Sequence, residues 1–168
     1  MRHMIAIAAL IFSFLVGATL PAVAEGRGEE APGPDALFGE WRGQCDAWGA
    51  EMLCELDWAL GLHPDHFTVS YAIIDAEEEV DVFRGTGVYR PAGYGFEGYW
   101  SDSSGAIHPL RASWDGDALI THWGTAGSAQ GRTEYRLAND GSLRVIDWAL
   151  RDDGWVQFMD VTYQLGPN

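Results

Sequence analysis

Apolar and polar residues alternate along most of this chain with a period of two, and the alternation is clearest between Glu40 and Leu60. Folded about Gly49-Ala50, that stretch becomes a β-hairpin with a two-residue loop, and Gly49 supplies the positive φ that a type II′ turn needs at its first central position. The register then pairs Trp41 with Trp58, Gly43 with Leu56, Cys45 with Cys54 and Trp48 with Glu51. Trp41, Cys45, Ala47, Met52, Cys54, Leu56 and Trp58 share one face. Arg42, Gln44, Asp46, Glu51, Glu55 and Asp57 take the other, with Trp48 and Leu53 as the apolar exceptions. One dry and one wet face is the pattern of an antiparallel sheet that covers a core.

Similar segments follow. Residues 66–74, 80–89, 94–101, 107–114, 118–123, 132–137, 143–150 and 155–165 read as strands rich in β-branched and aromatic residues, separated by Gly, Pro, Asn and Asp. Asp115-Gly116 is the strongest short hairpin signal. Pairing across it sets His108 opposite Trp123, Leu110 opposite Thr121 and Ala112 opposite Leu119. No amphipathic helix competes. The expected fold is all-β: a single up-and-down antiparallel barrel of about ten strands, because closure removes exposed sheet edges. A two-sheet sandwich is the alternative.

The N-terminus has a different character. Met1-Arg2-His3 precedes an apolar run from Met4 to Gly17, and Ala22-Val23-Ala24 has the form of a cleavage site, so residues 1–24 read as a secretory signal peptide. Residues 25–36, rich in Gly, Pro and Glu, read as a flexible lead-in, and residues 37–168 as the barrel domain. A periplasmic or secreted protein is expected.

Charge and cysteine refine that picture. The formal charge of −15 becomes −16 once Arg2 is cleaved off, and the chain contains no lysine. Such a field repels nucleic acid and anionic membrane surfaces, so neither is an expected partner. Oligomeric state is not readable. Export places Cys45 and Cys54 in an oxidising compartment. Facing each other across the hairpin, with Cα atoms roughly 4.5 Å apart, they are expected to form a disulfide.

Several short stretches together resemble the calycin barrels, the lipocalin-like and fatty-acid-binding-like proteins, and more narrowly an exported bacterial family of unknown function with that barrel. They are Gly39-Glu40-Trp41, Gly85-Thr86-Gly87-Val88-Tyr89, Gly98-Tyr99-Trp100-Ser101-Asp102, Trp114-Asp115-Gly116 and Val161-Thr162-Tyr163. The resemblance implies a barrel with a central cavity and, by analogy, a small apolar or amphipathic ligand. The hairpin disulfide departs from that family. Nitrobindin-type barrels, which are also similar, ligate haem through a histidine near the C-terminus. No histidine follows His122 here, so haem is not expected, nor any other cofactor.

Candidate chemistry is sparse. Trp41, Trp58, Trp114 and Trp123 should point inward with Thr121, as cavity wall or as core. His108 shares their face and is the best candidate for acid–base work. His122, with Arg111 and Ser113, should point outward. His63, Asp65 and His66 could hold a surface metal only weakly, because Pro64 places them in a loop. Glu97 and Asp102 fall on opposite faces of one strand and lack the geometry of a two-carboxylate hydrolase. No G-x-S-x-G or phosphate loop occurs. The favoured expectation is a small-ligand-binding barrel. The alternatives are an envelope enzyme of lyase or isomerase type using the cavity, and a structural or interaction protein of the envelope.

Overall fold

In the computed structural model, which describes residues 32–167, the period-two alternation becomes ten strands. They are β1 (Gly39–Ala47), β2 (Ala50–Leu60), β3 (Phe67–Asp75), β4 (Val80–Ala92), β5 (Gly95–Asp102), β6 (Ile107–Asp115), β7 (Ala118–Gly124), β8 (Gln130–Leu137), β9 (Leu143–Arg151) and β10 (Gly154–Leu165). Each pairs antiparallel with its sequence neighbours, and β1 pairs with β10 through Trp41–Leu165 and Arg42–Gln164. The sheet is therefore a closed up-and-down barrel. The expected signal peptide and most of the lead-in lie outside the described residues. The last residues expected in the lead-in, Pro34 to Ala36, join Leu37 in a 3-10 turn instead.

Two hairpin registers differ from the sequence expectation, both by two residues. In the first, the loop is Trp48-Gly49 with φ of 53° and 79°. That is the pair of positive angles a type I′ turn requires. Cys45 consequently pairs with Met52, Gly43 with Cys54 and Trp41 with Leu56. In the second, the loop is Gly116-Asp117, with the positive φ at Gly116, its first central position. Leu110 now faces Trp123, Ala112 faces Thr121 and Trp114 faces Leu119. Because side chains alternate with a period of two, a two-residue shift keeps every residue on its face and changes only its partner. Cys45 and Cys54 become diagonal neighbours. Their disulfide forms with Cα atoms 5.9 Å apart, nearer the usual span of such a bridge than a directly opposed pair.

The two ends of the barrel are built differently. At the end holding the start of β1 and the finish of β10, Leu37 plugs the interior and its carbonyl accepts a hydrogen bond of 2.7 Å from Trp41 Nε1. Above it lies an aromatic core. The Trp58 ring sits 5.0 Å from Tyr135 edge-on and 5.8 Å from both Phe67 and Tyr89, and Phe67 stacks on Tyr89 at 4.8 Å. Trp58 is 1% exposed. Burial of these rings is the main apolar contribution to stability. Outside, cross-strand ion pairs such as Arg144–Asp160 and Arg42–Glu55 decorate the wall; being exposed, each contributes little.

Candidate functional site

The opposite end carries the β1–β2, β3–β4, β5–β6, β7–β8 and β9–β10 connections. Several of its inward-facing side chains are only half-buried, namely Met52, Phe83, Trp100, His108, Trp123 and Met159, while Cys45, Ala47, Ile73 and Ala149 beside them are buried. Two glycines decide how they lie. A Cβ at Gly131 would fall 1.9 Å from the Trp123 ring, and one at Gly85 would fall 1.9 Å from the Trp100 ring. Each indole therefore lies flat against the bare backbone of the next strand rather than across the lumen. Trp100 Nε1 also donates to Asp102 Oδ2 at 2.9 Å. His108 leans on Trp123, ring centroids 5.4 Å apart.

Between this accessible half and the aromatic core is a polar layer. Alternation along β9 turns Val145, Asp147 and Ala149 inward, and the ladder aligns Met159, Asp147, Thr133 and Thr121 side by side. Thr133 Oγ1 donates to Asp147 Oδ1 at 2.5 Å. Protein atoms surround Asp147, yet part of its surface stays accessible, as for a group lining an interior space. Burial disfavours the charged carboxylate and the Thr133 hydrogen bond favours it. Burial dominates, pushing Asp147 up to about 6.

Four tyrosines, Tyr71, Tyr89, Tyr135 and Tyr163, are close enough to feel that carboxylate. Burial raises all four above the usual phenol range, and a negative Asp147 raises them further. Each stays protonated as a hydrogen-bonding group. The Tyr71 hydroxyl lies 3.2 Å from Met159 Sδ and 3.1 Å from Cys54 Sγ; the disulfide sulfur carries no proton, so Tyr71 is the donor. The Tyr89 hydroxyl and Thr121 Oγ1 are 3.4 Å apart.

The residues expected from sequence to line a cavity therefore divide. His108 and Trp123 stand in the accessible half. Trp41 and Trp58 are buried beneath the polar layer, Thr121 is buried within it, and Trp114 is half-buried at the plugged end. Among the described residues, the indole N–H groups of Trp58 and Trp114 are buried without partners. The sequence reading missed Asp147 and the tyrosines. Asp147 had a signal, since it interrupts an otherwise apolar inward row.

Of the other candidates, Asp102 shares the inward face of Trp100 at the rim, and the rest sit outside. His122 faces outward, its pKa lowered by burial and then by Arg132, which itself stacks over Trp148 at 4.2 Å. Glu97 pairs with Arg90 on the surface, while Asp102 receives backbone N–H groups of the β5–β6 turn. His63 and His66 touch ring to ring at 4.9 Å in the β2–β3 connection. Among the described residues, no three His, Cys, Asp or Glu side chains are grouped to hold a metal, and no helix is long and apolar enough to cross a membrane. A groove of about 270 Å³ runs along the outer face of β1 to β4, between Arg42, Glu55, Asp57 and Arg84. Arg42 pairs there with Glu40 and Glu55, and Arg84 with Asp81 beside it.

No family model matches the chain, and no curated protein matches its sequence. Among solved structures it is similar to a crystal structure of Rv2717c from M. tuberculosis, with 15% identity and a TM-score of 0.59 over 82% of this chain and 100% of that one. At that identity the likeness concerns the fold alone.

Proposed function

We propose that this protein is a calycin-like barrel, exported to the periplasm or beyond, that binds a small apolar or amphipathic molecule through its accessible end. The observation that carries the reading is the half-buried set of Met52, Trp100, His108 and Trp123 above the Asp147–Thr133 layer, with Met159 level with Asp147. A barrel filled for strength alone would pack these positions as tightly as it packs Trp58. Tryptophans laid against glycines on the wall are consistent with an open lumen, and a wall of ten strands has the girth to hold one. The disulfide fits an oxidising compartment.

Binding is favoured over acid–base catalysis because His108, the one inward histidine, touches an indole and has no hydrogen-bonded partner among the described residues. The test is native mass spectrometry of protein recovered from its own cells, followed by quenching of tryptophan fluorescence with a panel of lipids and aromatic compounds. A bound mass or saturable quenching is expected. A clean apo mass with no quenching across the panel would overturn the proposal.

A further inference from the structure

The interior of the accessible half has an unbalanced charge. Asp147 Oδ1 is engaged by Thr133, whereas Oδ2 receives no hydrogen bond from the described residues. Asp147 also keeps part of its surface accessible. No counter-ion among the described residues faces it. Every arginine among the described residues lies on the outer face or in its ion pairs, and the groups around Asp147 are the neutral phenols of Tyr71, Tyr89, Tyr135 and Tyr163. Among the described residues, His108 is the one inward basic group of that half, and it lies against Trp123.

A buried carboxylate with one free lobe is costly alone and favourable once a hydrogen-bonding cation meets it. The walls above it suit the same guest. The faces of Trp100 and Trp123 attract a cation, and the soft thioethers of Met52 and Met159 suit an apolar chain. The approach is acidic: Glu77, Glu78 and Glu79 are consecutive in the β3–β4 turn, Asp152 and Asp153 form the β9–β10 turn, and Asp46 and Glu51 flank the β1–β2 loop. That field concentrates cations at the mouth and repels anions.

Resting on the cavity reading above, we propose that the ligand is an amphipathic organic cation. A primary or secondary ammonium would be received by Asp147 Oδ2, with an apolar body lying along Trp100, Trp123 and the two methionines.

The test compares three probes of equal chain length, n-octylammonium, 1-octanol and octanoate, by quenching of tryptophan fluorescence at mildly alkaline pH and physiological salt. Octylammonium is expected to bind about ten- to a hundredfold more tightly than octanol, the ratio carried by one charge-assisted hydrogen bond, with octanoate weakest. In Asp147→Asn, with folding verified by near-ultraviolet circular dichroism, the preference for octylammonium over octanol is expected to vanish. Equal binding of all three, or tightest binding of octanoate, would overturn the cationic assignment while leaving the cavity reading intact. A preference that survives in Asp147→Asn would move recognition to the acidic mouth and overturn the role of Asp147. If none of the three binds, the cavity reading fails and this inference fails with it. The wild-type comparison decides the ligand class even if the variant does not fold.

Discussion

Asp147→Asn is the most informative single perturbation, because it tests whether the carboxylate is held at a cost. Burial raises the Asp147 pKa from 3.8 to about 6, a change of about two units at about 1.4 kcal/mol each, so roughly 3 kcal/mol at most. The folded state binds the proton more tightly than the unfolded chain. Below about pH 4 both states are protonated and the group contributes no difference. As pH rises through the window from about 4 to about 6, the unfolded chain releases its proton first and stability is lost; above that window the full cost persists. Asparagine keeps the oxygen that accepts from Thr133 and carries no charge. The variant should therefore match wild type near pH 4 and exceed its stability by up to about 3 kcal/mol in mildly alkaline buffer. Urea unfolding of both proteins across that range measures the difference directly, and comparing the two cancels the general relief of repulsion that acid brings to so acidic a chain. A variant less stable than wild type at alkaline pH, or a difference that does not change with pH, would refute the reasoning.

Three further outcomes follow from the packing. Trp58→Ala should cost about 3–5 kcal/mol in denaturant unfolding, since its ring touches Phe67, Tyr89 and Tyr135; a cost below about 1 kcal/mol would contradict the aromatic plug. Gly131→Ala puts a methyl into the Trp123 ring and should cost about 1–3 kcal/mol, with a changed near-ultraviolet tryptophan signal that marks the displaced indole. The Cys45–Cys54 bridge closes only a short loop in the unfolded ensemble, so its reduction should cost about 2–3 kcal/mol, and thiol titration of the unfolded, unreduced protein should find no free thiol.

The sequence by itself determined which residues form strands, that successive strands are joined as hairpins, and which face of each strand is dry. These are local properties. Alternation with a period of two depends on backbone geometry alone, and Gly, Asn and Asp mark where the chain must turn. It also determined that Cys45 and Cys54 share the inward face, because parity survives any two-residue shift.

What only the tertiary structure decided was register and depth. Gly49-Ala50 and Asp115-Gly116 were plausible loops, yet the chain turns at Trp48-Gly49 and Gly116-Asp117; choosing between adjacent turns depends on packing across the barrel, which no local pattern encodes. The equal standing of Trp58 and Trp123 in the sequence was likewise lifted by the fold. One is walled in by three rings, while the other lies back on Gly131, across from it in the ladder on the next strand. The significance of Asp147 emerged for the same reason. An inward aspartate is legible in the alternation of β9, but whether it meets a cation, a hydroxyl or open space depends on the strands that close around it. Here they bring one threonine, four phenols and no arginine, and an unmatched charge is a property of that assembled surrounding.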